Sequence, residues 1–336
     1  MWTIIFSVLI SFFTVFSIAP SMKKFLGRID IVGTDQQKKG KPKMATSAGM
    51  LVLAGALTGT FFYIGVNTFL IRSPIGLVYI LAALCSISII TFIGFLDDIN
   101  IARKPRVSKG VNDFRIGLRQ WQKPLLTLPA AIPLMAVMAG TSTMEIPILG
   151  SMDFGIFYPL LLVPFAVVTV SNATNMLAGM NGTESGMGFV ALLSLGIYTF
   201  MLGRTEASII SFAMALSLLA FLRWNWFPAK FLPGDSLTYL TGATIVSVVI
   251  IGNVEKFGMF IFLPWIIEAF LKLRSRFSAR SLGNLQPDGK LKSPYKRVYS
   301  LTHVIMKFGP MEEWKISAIL ICFEIVVCIS AFIILL

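Results

Sequence analysis

Ten long apolar runs constrain this chain more than any other feature of its sequence. A run of about 18 or more apolar residues can cross a hydrocarbon core about 30 Å thick as one helix. Helices are expected there because they satisfy every backbone amide internally. The runs predict an all-α polytopic membrane protein of about ten transmembrane helices, forming one membrane domain over residues 1–336. The predicted spans are residues 2–20, 46–71, 75–96, 124–141, 155–174, 187–203, 207–222, 237–253, 257–272 and 316–336.

Basic residues follow the predicted spans in an alternating pattern. Of the 29 Lys and Arg residues, 26 lie in or at the edge of four loops, at 21–45, 97–123, 223–236 and 273–315. The positive-inside rule places these loops, and with them the loop 172–186, in the cytoplasm, with both termini outside. The net charge of +13 is therefore explained by topology and by anionic headgroups, and we predict no nucleic-acid partner.

The first polar cluster is the pair Asp97 and Asp98, at the cytoplasmic end of the third predicted span. Adjacent carboxylates after an apolar run are costly to bury and are often functional. One could bind a cation, or a lipid phosphate through it, while the other takes a proton. The alternative is charge pairing at the helix end with Arg103 or Lys104.

The second cluster closes the fifth predicted span with Asn172, Asn175, Asn181 and Glu184. Asn172 and Asn175 are one helical turn apart and face the same way. Two glycines in this segment allow the backbone to approach a ligand closely. We consider Asn172, Asn181 and Glu184 candidate substrate-binding residues. The alternative is a polar loop capped by glycine.

The third cluster is Asp235, in the segment 233–236 before the eighth predicted span. Alone, Asp235 could be a helix N-cap. Together with Asp97, Asp98 and Asn175 it forms a set of oxygen donors at cytoplasmic helix ends. Mg²⁺ prefers oxygen ligands, commonly one or two carboxylates plus substrate phosphates. The set therefore predicts a site for a Mg²⁺-pyrophosphate.

Basic residues that could bind the phosphates lie next to these clusters. Lys123 ends the second cytoplasmic loop, and Arg276 and Arg280 follow the ninth predicted span. Arginine can bind phosphate oxygens bidentately, whereas lysine acts as a point charge. Each of these residues could instead only set the topology. Glu268, within the ninth span, is either a buried polar contact or part of the site.

These three clusters, in this order, resemble the polyprenyl-phosphate N-acetylhexosamine-1-phosphate transferase superfamily. Residues 172–182, NATNMLAGMNG, match the NxxNxLAGxNG pattern of its dolichyl-phosphate GlcNAc-1-phosphotransferase branch, found in eukaryotes and archaea. The bacterial enzymes usually carry Asp where Ala178 and Asn181 stand here. The segments GFLDD at 94–98, PGDSLTYLTG at 233–242 and FGPMEEWKI at 308–316 also resemble that branch.

The resemblance also implies roles for individual residues. Asn175 and Asp235 would hold Mg²⁺, and Asn181 would read the uracil. Lys123 would contact the pyrophosphate, with Asp97 and Asp98 near the lipid phosphate. Arg280 resembles an arginine of the Arg-His-Arg motif that binds the sugar nucleotide, although Ala279 stands where the histidine would be.

The activity implied by the resemblance is transfer of GlcNAc-1-phosphate from UDP-GlcNAc to a polyprenyl (dolichyl-type) phosphate. The expected enzyme is an integral protein of the cell or ER membrane with its active site facing the cytoplasm, and the family resemblance implies a homodimer. One alternative keeps this chemistry but uses another UDP-N-acetylhexosamine. Another is a cation-coupled secondary transporter, but transporters place such residues near the bilayer midplane rather than at helix ends.

Overall fold

The computed structural model describes residues 2–72, 74–99, 106–108, 111–113, 121–146 and 150–336. Within these residues the chain is mostly helical, as predicted. The helices are α1 (Trp2–Arg28), α2 (Gly49–Gly65, continued by a π-helical turn Val66–Ile71), α3 (Leu77–Ile99), α4 (Gln122–Thr127, continued by a 3₁₀ turn Leu128–Ala131), α5 (Ile132–Ala136), α6 (Val163–Met176, preceded by a π-helical turn Tyr158–Leu162), α7 (Thr183–Met201), α8 (Thr205–Asn225), α9 (Gly234–Gly252), α10 (Glu255–Ile261), α11 (Leu263–Leu273), α12 (Leu301–Met306) and α13 (Glu313–Leu335).

Within the described residues, four short antiparallel strand pairs lie between helices. They are β1 (Val32–Thr34) with β2 (Lys43–Ala45), β3 (Arg106–Ser108) with β4 (Val111–Asp113), β5 (Thr143–Ile146) with β6 (Gly150–Asp153), and β7 (Asn284–Leu285) with β8 (Leu291–Lys292). The last pair flanks a turn at 287–289, where Pro-Asp-Gly is a strong turn signal.

Eight helices in the described part of the chain are long and apolar enough to cross a membrane. They coincide with eight of the ten predicted spans. The other two predicted spans, 124–141 and 257–272, are helical but interrupted. Proline explains the interruptions because it lacks a backbone N–H: Pro124, Pro129 and Pro133 lie in the first segment and Pro264 in the second.

Helix α9 lies at the centre of the bundle, against α2, α3, α6, α7 and α8. Of its most apolar 18-residue window, 83% is buried, compared with 22% in α1. A helix that is apolar on all sides is expected to be surrounded by other helices. The N-terminal end of α9, which carries Asp235, is therefore placed in the interior of the bundle.

Glycine allows α3 to approach the start of α9 closely. A Cβ atom at Gly94 would lie 2.6 Å from Ser236 Cα and 2.8 Å from the Asp235 carbonyl oxygen. Such distances are too short for any side chain larger than hydrogen. The absence of a side chain at Gly94 thus brings the end of α3, with its two aspartates, against Asp235.

Candidate active site

Lys123 joins two of the predicted acidic residues at one end of the bundle. Its Nζ atom lies 2.7 Å from Asp97 Oδ2 and 2.7 Å from Asp235 Oδ2. The side chains of Lys123 and Asp235 are each 23% exposed, whereas that of Asp97 is 1% exposed. A ligand can therefore reach Lys123 and Asp235, while Asp97 lies behind them.

Asp98 points to the backbone of α9 instead. Its Oδ1 atom accepts the N–H of Asp235 at 2.8 Å, and its Oδ2 atom accepts the N–H of Ser236 at 3.1 Å and the hydroxyl of Ser47 at 2.6 Å. These two N–H groups belong to the first turn of α9, where backbone donors lack partners within the helix. Asp98 therefore fixes the start of α9. Arg103 and Lys104, the alternative partners of the aspartate pair, lie outside the described residues.

The charge of Lys123 is stabilised by its surroundings. Burial by itself lowers the pKa of Lys123, but Asp235, Tyr239 and Asp97 more than offset this effect and raise it above its ordinary value. The Lys123 side chain is consequently an ammonium group at neutral pH, held between two carboxylates and available to anionic ligands.

Asn175 lies in the last turn of α6. The neighbouring Thr174 hydroxyl donates to the Thr238 carbonyl at 2.8 Å, which joins the end of α6 to the first turns of α9. The Asn175 side chain interacts with Tyr239, which also interacts with Asp235. Asn175 and Asp235, the two predicted metal ligands, thus both neighbour Tyr239, and their binding of a metal stays a prediction.

Asn172 uses its amide donors within the protein. Its Nδ2 atom donates to Thr127 Oγ1 at 3.1 Å and to the Val168 carbonyl at 2.8 Å. Thr127 lies one turn after Lys123 on α4. The visible effect of Asn172 is therefore to connect α6 to the helix that carries Lys123, and its predicted contact with substrate stays a prediction.

Both the backbone and the side chain of Asn181 are hydrogen-bonded within the protein. Its N–H donates to Glu313 Oε1 at 2.7 Å, and its carbonyl accepts the Ser317 hydroxyl at 2.9 Å. In the side chain, Nδ2 donates to Asp35 Oδ2 at 3.2 Å and Oδ1 accepts the Ala229 N–H at 3.0 Å. Asn181 is 5% exposed. It therefore joins four segments of the chain, and its predicted reading of uracil stays a prediction.

Glu184 closes the same loop. Its Oε1 atom accepts the Gly179 N–H at 2.7 Å, so the first turn of α7 is tied back to the end of the Asn-rich segment. An acidic side chain is favoured in this position because the N-terminus of a helix carries partial positive charge. The Asn-rich segment is thus a fixed turn.

Sequence reasoning missed a group of buried and half-buried residues that border this turn. Asp35, Gln37 and Lys38 lie between β1 and β2, and Lys38 pairs with both Asp35 and Glu313. Gln37 Nε2 donates to the Gly179 carbonyl at 2.7 Å. Two sequence features could have indicated these residues. The basic loop 21–45 was interpreted only as evidence of topology, and the segment 308–316 matched the family pattern without an assigned role.

Arg280 and Arg276 lie on the segment after α11. Arg280 is half-buried, and burial lowers its pKa, although a guanidinium remains protonated at neutral pH. The hydroxyl of the next residue, Ser281, donates to the Met176 carbonyl at 2.9 Å, and Met176 directly follows Asn175. Arg276 is exposed and has a left-handed backbone, with φ of 53°. Through Ser281, the segment that carries Arg280 is therefore bonded to the end of α6, and the predicted substrate contacts of Arg276 and Arg280 stay predictions.

The residues of the cluster fit a magnesium ion bound partly by substrate. The available donors are carboxylate and amide oxygens, which suit a hard cation. Within the described residues, no group of three or more His, Cys, Asp or Glu side chains could hold a metal alone. A few protein oxygens beside an ammonium group match an ion that completes its coordination with phosphates and water.

Comparisons with known proteins point to the same class. Residues 80–253 match the model of glycosyl transferase family 4. A Saccharolobus solfataricus protein, provisionally named UDP-N-acetylglucosamine–dolichyl-phosphate N-acetylglucosaminephosphotransferase, is 33% identical over 98% of this chain and 95% of the relative. The Dictyostelium discoideum protein of that name is 24% identical over 96% of this chain and 86% of the relative.

Bacterial relatives are also found. A phospho-N-acetylmuramoyl-pentapeptide-transferase of Clostridium botulinum is 29% identical over 88% of this chain and 83% of the relative. The region that matches the family model includes α9, and the alignment with the Saccharolobus protein covers 98% of this chain. The resemblance seen in the sequence is confirmed, and the chain belongs to glycosyl transferase family 4.

Proposed function

We propose that this protein transfers GlcNAc-1-phosphate from UDP-GlcNAc to a polyprenyl (dolichyl-type) phosphate. The products are GlcNAc-diphospho-lipid and UMP, in the first lipid-linked step of N-glycan assembly. The observation that carries the proposal is the convergence of Asp97, Lys123 and Asp235 at one end of a membrane bundle. The names of the Saccharolobus and Dictyostelium relatives support the donor and the acceptor.

The reaction joins two anions. An ionised phosphate oxygen of the lipid attacks the β-phosphorus of UDP-GlcNAc, and the bond from that phosphorus to the bridging oxygen breaks. UMP leaves with the bridging oxygen and its electron pair. Because the nucleophile is already ionised, little proton abstraction is needed. The protein must position the two phosphates and offset their repulsion.

The residues of the cluster fit this task. The Lys123 ammonium, held toward Asp235, neutralises negative charge on the pyrophosphate, and Asp98 keeps the start of α9 in place. Asn175 and Asp235 would hold Mg²⁺, which when bound supplies electrostatic stabilisation of phosphate oxygens. The isoprenoid tail of the acceptor stays in lipid, which accounts for catalysis by a membrane bundle.

The positions of the site residues support ten crossings. Lys123, in the first turn of the first interrupted helix, and Asn175, at the end of α6, both belong to the site region. Since α6 crosses once, the chain between Lys123 and α6 must cross once as well. Likewise, α9 leaves the site at Asp235 and the chain returns to it at Ser281, which requires a crossing by α10 and α11. We infer both termini outside, the site at the cytoplasmic face and, from the family, a homodimer.

A radiolabel-transfer assay tests the proposal. Purified protein would be incubated with polyprenyl phosphate, labelled UDP-GlcNAc and Mg²⁺. We expect label in the lipid fraction, UMP release, loss of both with EDTA, and a fall of about a hundredfold or more in Asp235→Asn. Asp153→Asn, an exposed aspartate on β6, is the matched control and should retain wild-type transfer.

Two other outcomes would change the conclusion. Transfer from a different UDP-N-acetylhexosamine, but not from UDP-GlcNAc, would correct the donor and keep the mechanism. Folded protein that transfers from no UDP-sugar would overturn the proposed activity and return attention to cation-coupled transport.

A further inference from the structure

Glu268 and Lys272 form an ion pair that the proposed chemistry does not use. They lie one turn apart on α11, with Lys272 Nζ 3.5 Å from Glu268 Oε1. Glu268 is 0% exposed and Lys272 is 5% exposed. Removing two charges from water is costly, and replacing such a pair by apolar residues is often neutral or even stabilising. Stability alone is therefore a weak reason for this pair, so its hydrogen-bond partners are informative.

Lys272 holds the two residues that flank Arg280. Its Nζ atom donates to the Ala279 carbonyl at 2.9 Å and to the Ser281 hydroxyl at 2.8 Å. The Ala279 N–H is also bound, to Ser275 Oγ at 3.2 Å. With both neighbours anchored, the backbone at Arg280 has little freedom, and the direction in which its side chain leaves the loop is set.

Glu268 ties this loop to the start of α12. Its Oε2 atom accepts the Leu301 N–H at 2.7 Å and the Ser300 hydroxyl at 3.1 Å, and its Oε1 atom lies 3.1 Å from Ser281 Oγ. The Thr302 hydroxyl in turn donates to the Ser281 carbonyl at 2.7 Å. The two charged residues therefore join α11, the Arg280 loop and α12.

The anchored loop also contacts the candidate active site directly. Ser281 Oγ lies 2.9 Å from the Met176 carbonyl, next to Asn175. Two residues later, the Gly283 N–H donates to Gln37 Oε1 at 2.8 Å, and Gln37 binds the Gly179 carbonyl. Directly after Arg280, the loop is thus attached at Ser281, and through Gln37 at Gly283, to the segment that holds Asn175 and Asn181.

Backbone strain indicates that the loop is held and not merely relaxed. Arg276 and Phe277 have φ of 53° and 58°, in the left-handed region that is costly for residues other than glycine. Such strain persists only where surrounding contacts enforce it. Lys272 contacts the chain at and after these residues: its carbonyl accepts the Phe277 N–H at 2.9 Å, and its ammonium binds the Ala279 carbonyl two residues later.

We propose that Lys272 and Glu268 are positioning residues that hold the Arg280 guanidinium toward the anionic part of the sugar-nucleotide donor. This inference rests on the proposed function, because it assigns donor binding to the same site. It also accounts for the buried position of Ala279, whose carbonyl accepts a hydrogen bond from Lys272.

A double-mutant cycle tests this positioning role. Lys272→Met, Arg280→Ala and the double variant would be assayed for transfer in lipid nanodiscs, with KM for UDP-GlcNAc and for polyprenyl phosphate measured separately. We expect Lys272→Met to raise KM for UDP-GlcNAc about tenfold while kcat and KM for the lipid change less than about twofold. Adding Lys272→Met to Arg280→Ala should cause little further change, because the two residues act as a unit.

Matched variants separate positioning from general damage. Lys290→Met makes the same substitution in an exposed ion pair of the same loop and should leave both KM values unchanged. Glu268→Gln keeps hydrogen-bonding capacity and should raise KM for UDP-GlcNAc less than Lys272→Met does. Additive effects of Lys272→Met and Arg280→Ala would overturn the inference. So would a loss of kcat in Lys272→Met with both KM values unchanged.

Amide hydrogen exchange over residues 276–283 provides a readout that does not depend on activity. Exchange should be faster in Lys272→Met than in Lys290→Met, and equal protection would overturn the anchoring. A wild-type protein that transfers no sugar phosphate would instead overturn the proposed function, so the two failures are distinguishable.

Discussion

Asp97 and Asp98 are adjacent in the chain but act on different partners. Successive residues on a helix point about 100° apart, so two neighbouring carboxylates cannot share one set of contacts. Asp97 faces Lys123, whereas Asp98 accepts three hydrogen bonds, two of them from the backbone of α9. Asp97 is therefore a charged group of the site, whereas Asp98 positions the start of α9.

Asparagine substitutions should distinguish these two aspartates. In Asp98→Asn the amide NH₂ replaces an acceptor among three donors, which costs about 1–3 kcal/mol and should lower both the melting temperature and transfer. Asp97→Asn removes one of the two carboxylates on Lys123 and should lower transfer with a smaller effect on melting. Thermal unfolding in detergent together with the transfer assay checks this; equal losses of melting temperature would contradict it.

Glu313 shows how a functional contact can depend on residues far apart in the sequence. Its carboxylate accepts the Asn181 N–H and pairs with Lys38, which is 275 positions away. The segment 308–316 resembles a family pattern, but that resemblance carries no information about the partner. Only the tertiary structure shows that Lys38 is the partner, because it places the turn between β1 and β2 against the start of α13.

Close contact between helices sets the geometry of the site. The first turn of α9 meets α3 at Gly94, and Gly234 adopts a left-handed φ of 72° against the Asp98 carboxylate. A larger residue at either position would separate the aspartates from Asp235. The helical pattern of α3 predicted its existence and end, but not which neighbour it would approach so closely.

Gly94→Ala should therefore impair the site, whereas Gly65→Ala should not. A Cβ at Gly94 would lie 2.6 Å from Ser236 Cα, so α3 and α9 must move apart, and displacements of about 1 Å can cost about a hundredfold in rate. Gly65, near the end of α2, has nothing within 4 Å of a Cβ position. Transfer assays and melting temperatures of both variants measure the effect. Wild-type activity in Gly94→Ala would show that this contact is not needed.

The interrupted helices illustrate a second limit of apolar patterns. Hydropathy over 124–141 and 257–272 predicts spans, and the helices are present, but prolines divide them into shorter pieces. In lipid, breaks of this kind are tolerated where neighbouring helices surround them. Both segments flank site residues, Lys123 before the first and Lys272 at the end of the second.

The arrangement of the bundle predicts opposite sides for two exposed lysines. Lys256 lies in the first turn of α10 and Lys290 lies beyond α11, so in the proposed ten-crossing topology one crossing separates them. In whole cells, a membrane-impermeant maleimide should label Lys256→Cys, and should label Lys290→Cys only after permeabilisation. The parent protein, whose cysteines Cys85, Cys322 and Cys328 lie within α3 and α13, measures the background.

Other labelling patterns would be equally informative. Labelling of both variants from outside would show that α10 and α11 do not cross together, and the bundle would then have fewer than ten crossings. Labelling of Lys290→Cys alone would reverse the orientation inferred from the basic loops and place the site outside.

Local properties of the sequence were sufficient for the membrane class, the positions of eight long helices and the polar clusters at their ends. Apolar length, charge bias and short motifs are properties of contiguous residues, so they can be read without a fold. The sequence predicted that Asp97, Lys123 and Asp235 share one side of the membrane, and in the structure Lys123 contacts both carboxylates.

Which atoms meet within that cluster depended on the packing of the helices. The separate partners of Asp97 and Asp98, the contact between Glu313 and Asn181, and the hold of Lys272 on the Arg280 loop all join segments distant in sequence. Such contacts follow from helix rotations and close approaches of about an ångström. Neither periodicity nor composition specifies these, because many rotations bury an apolar helix equally well.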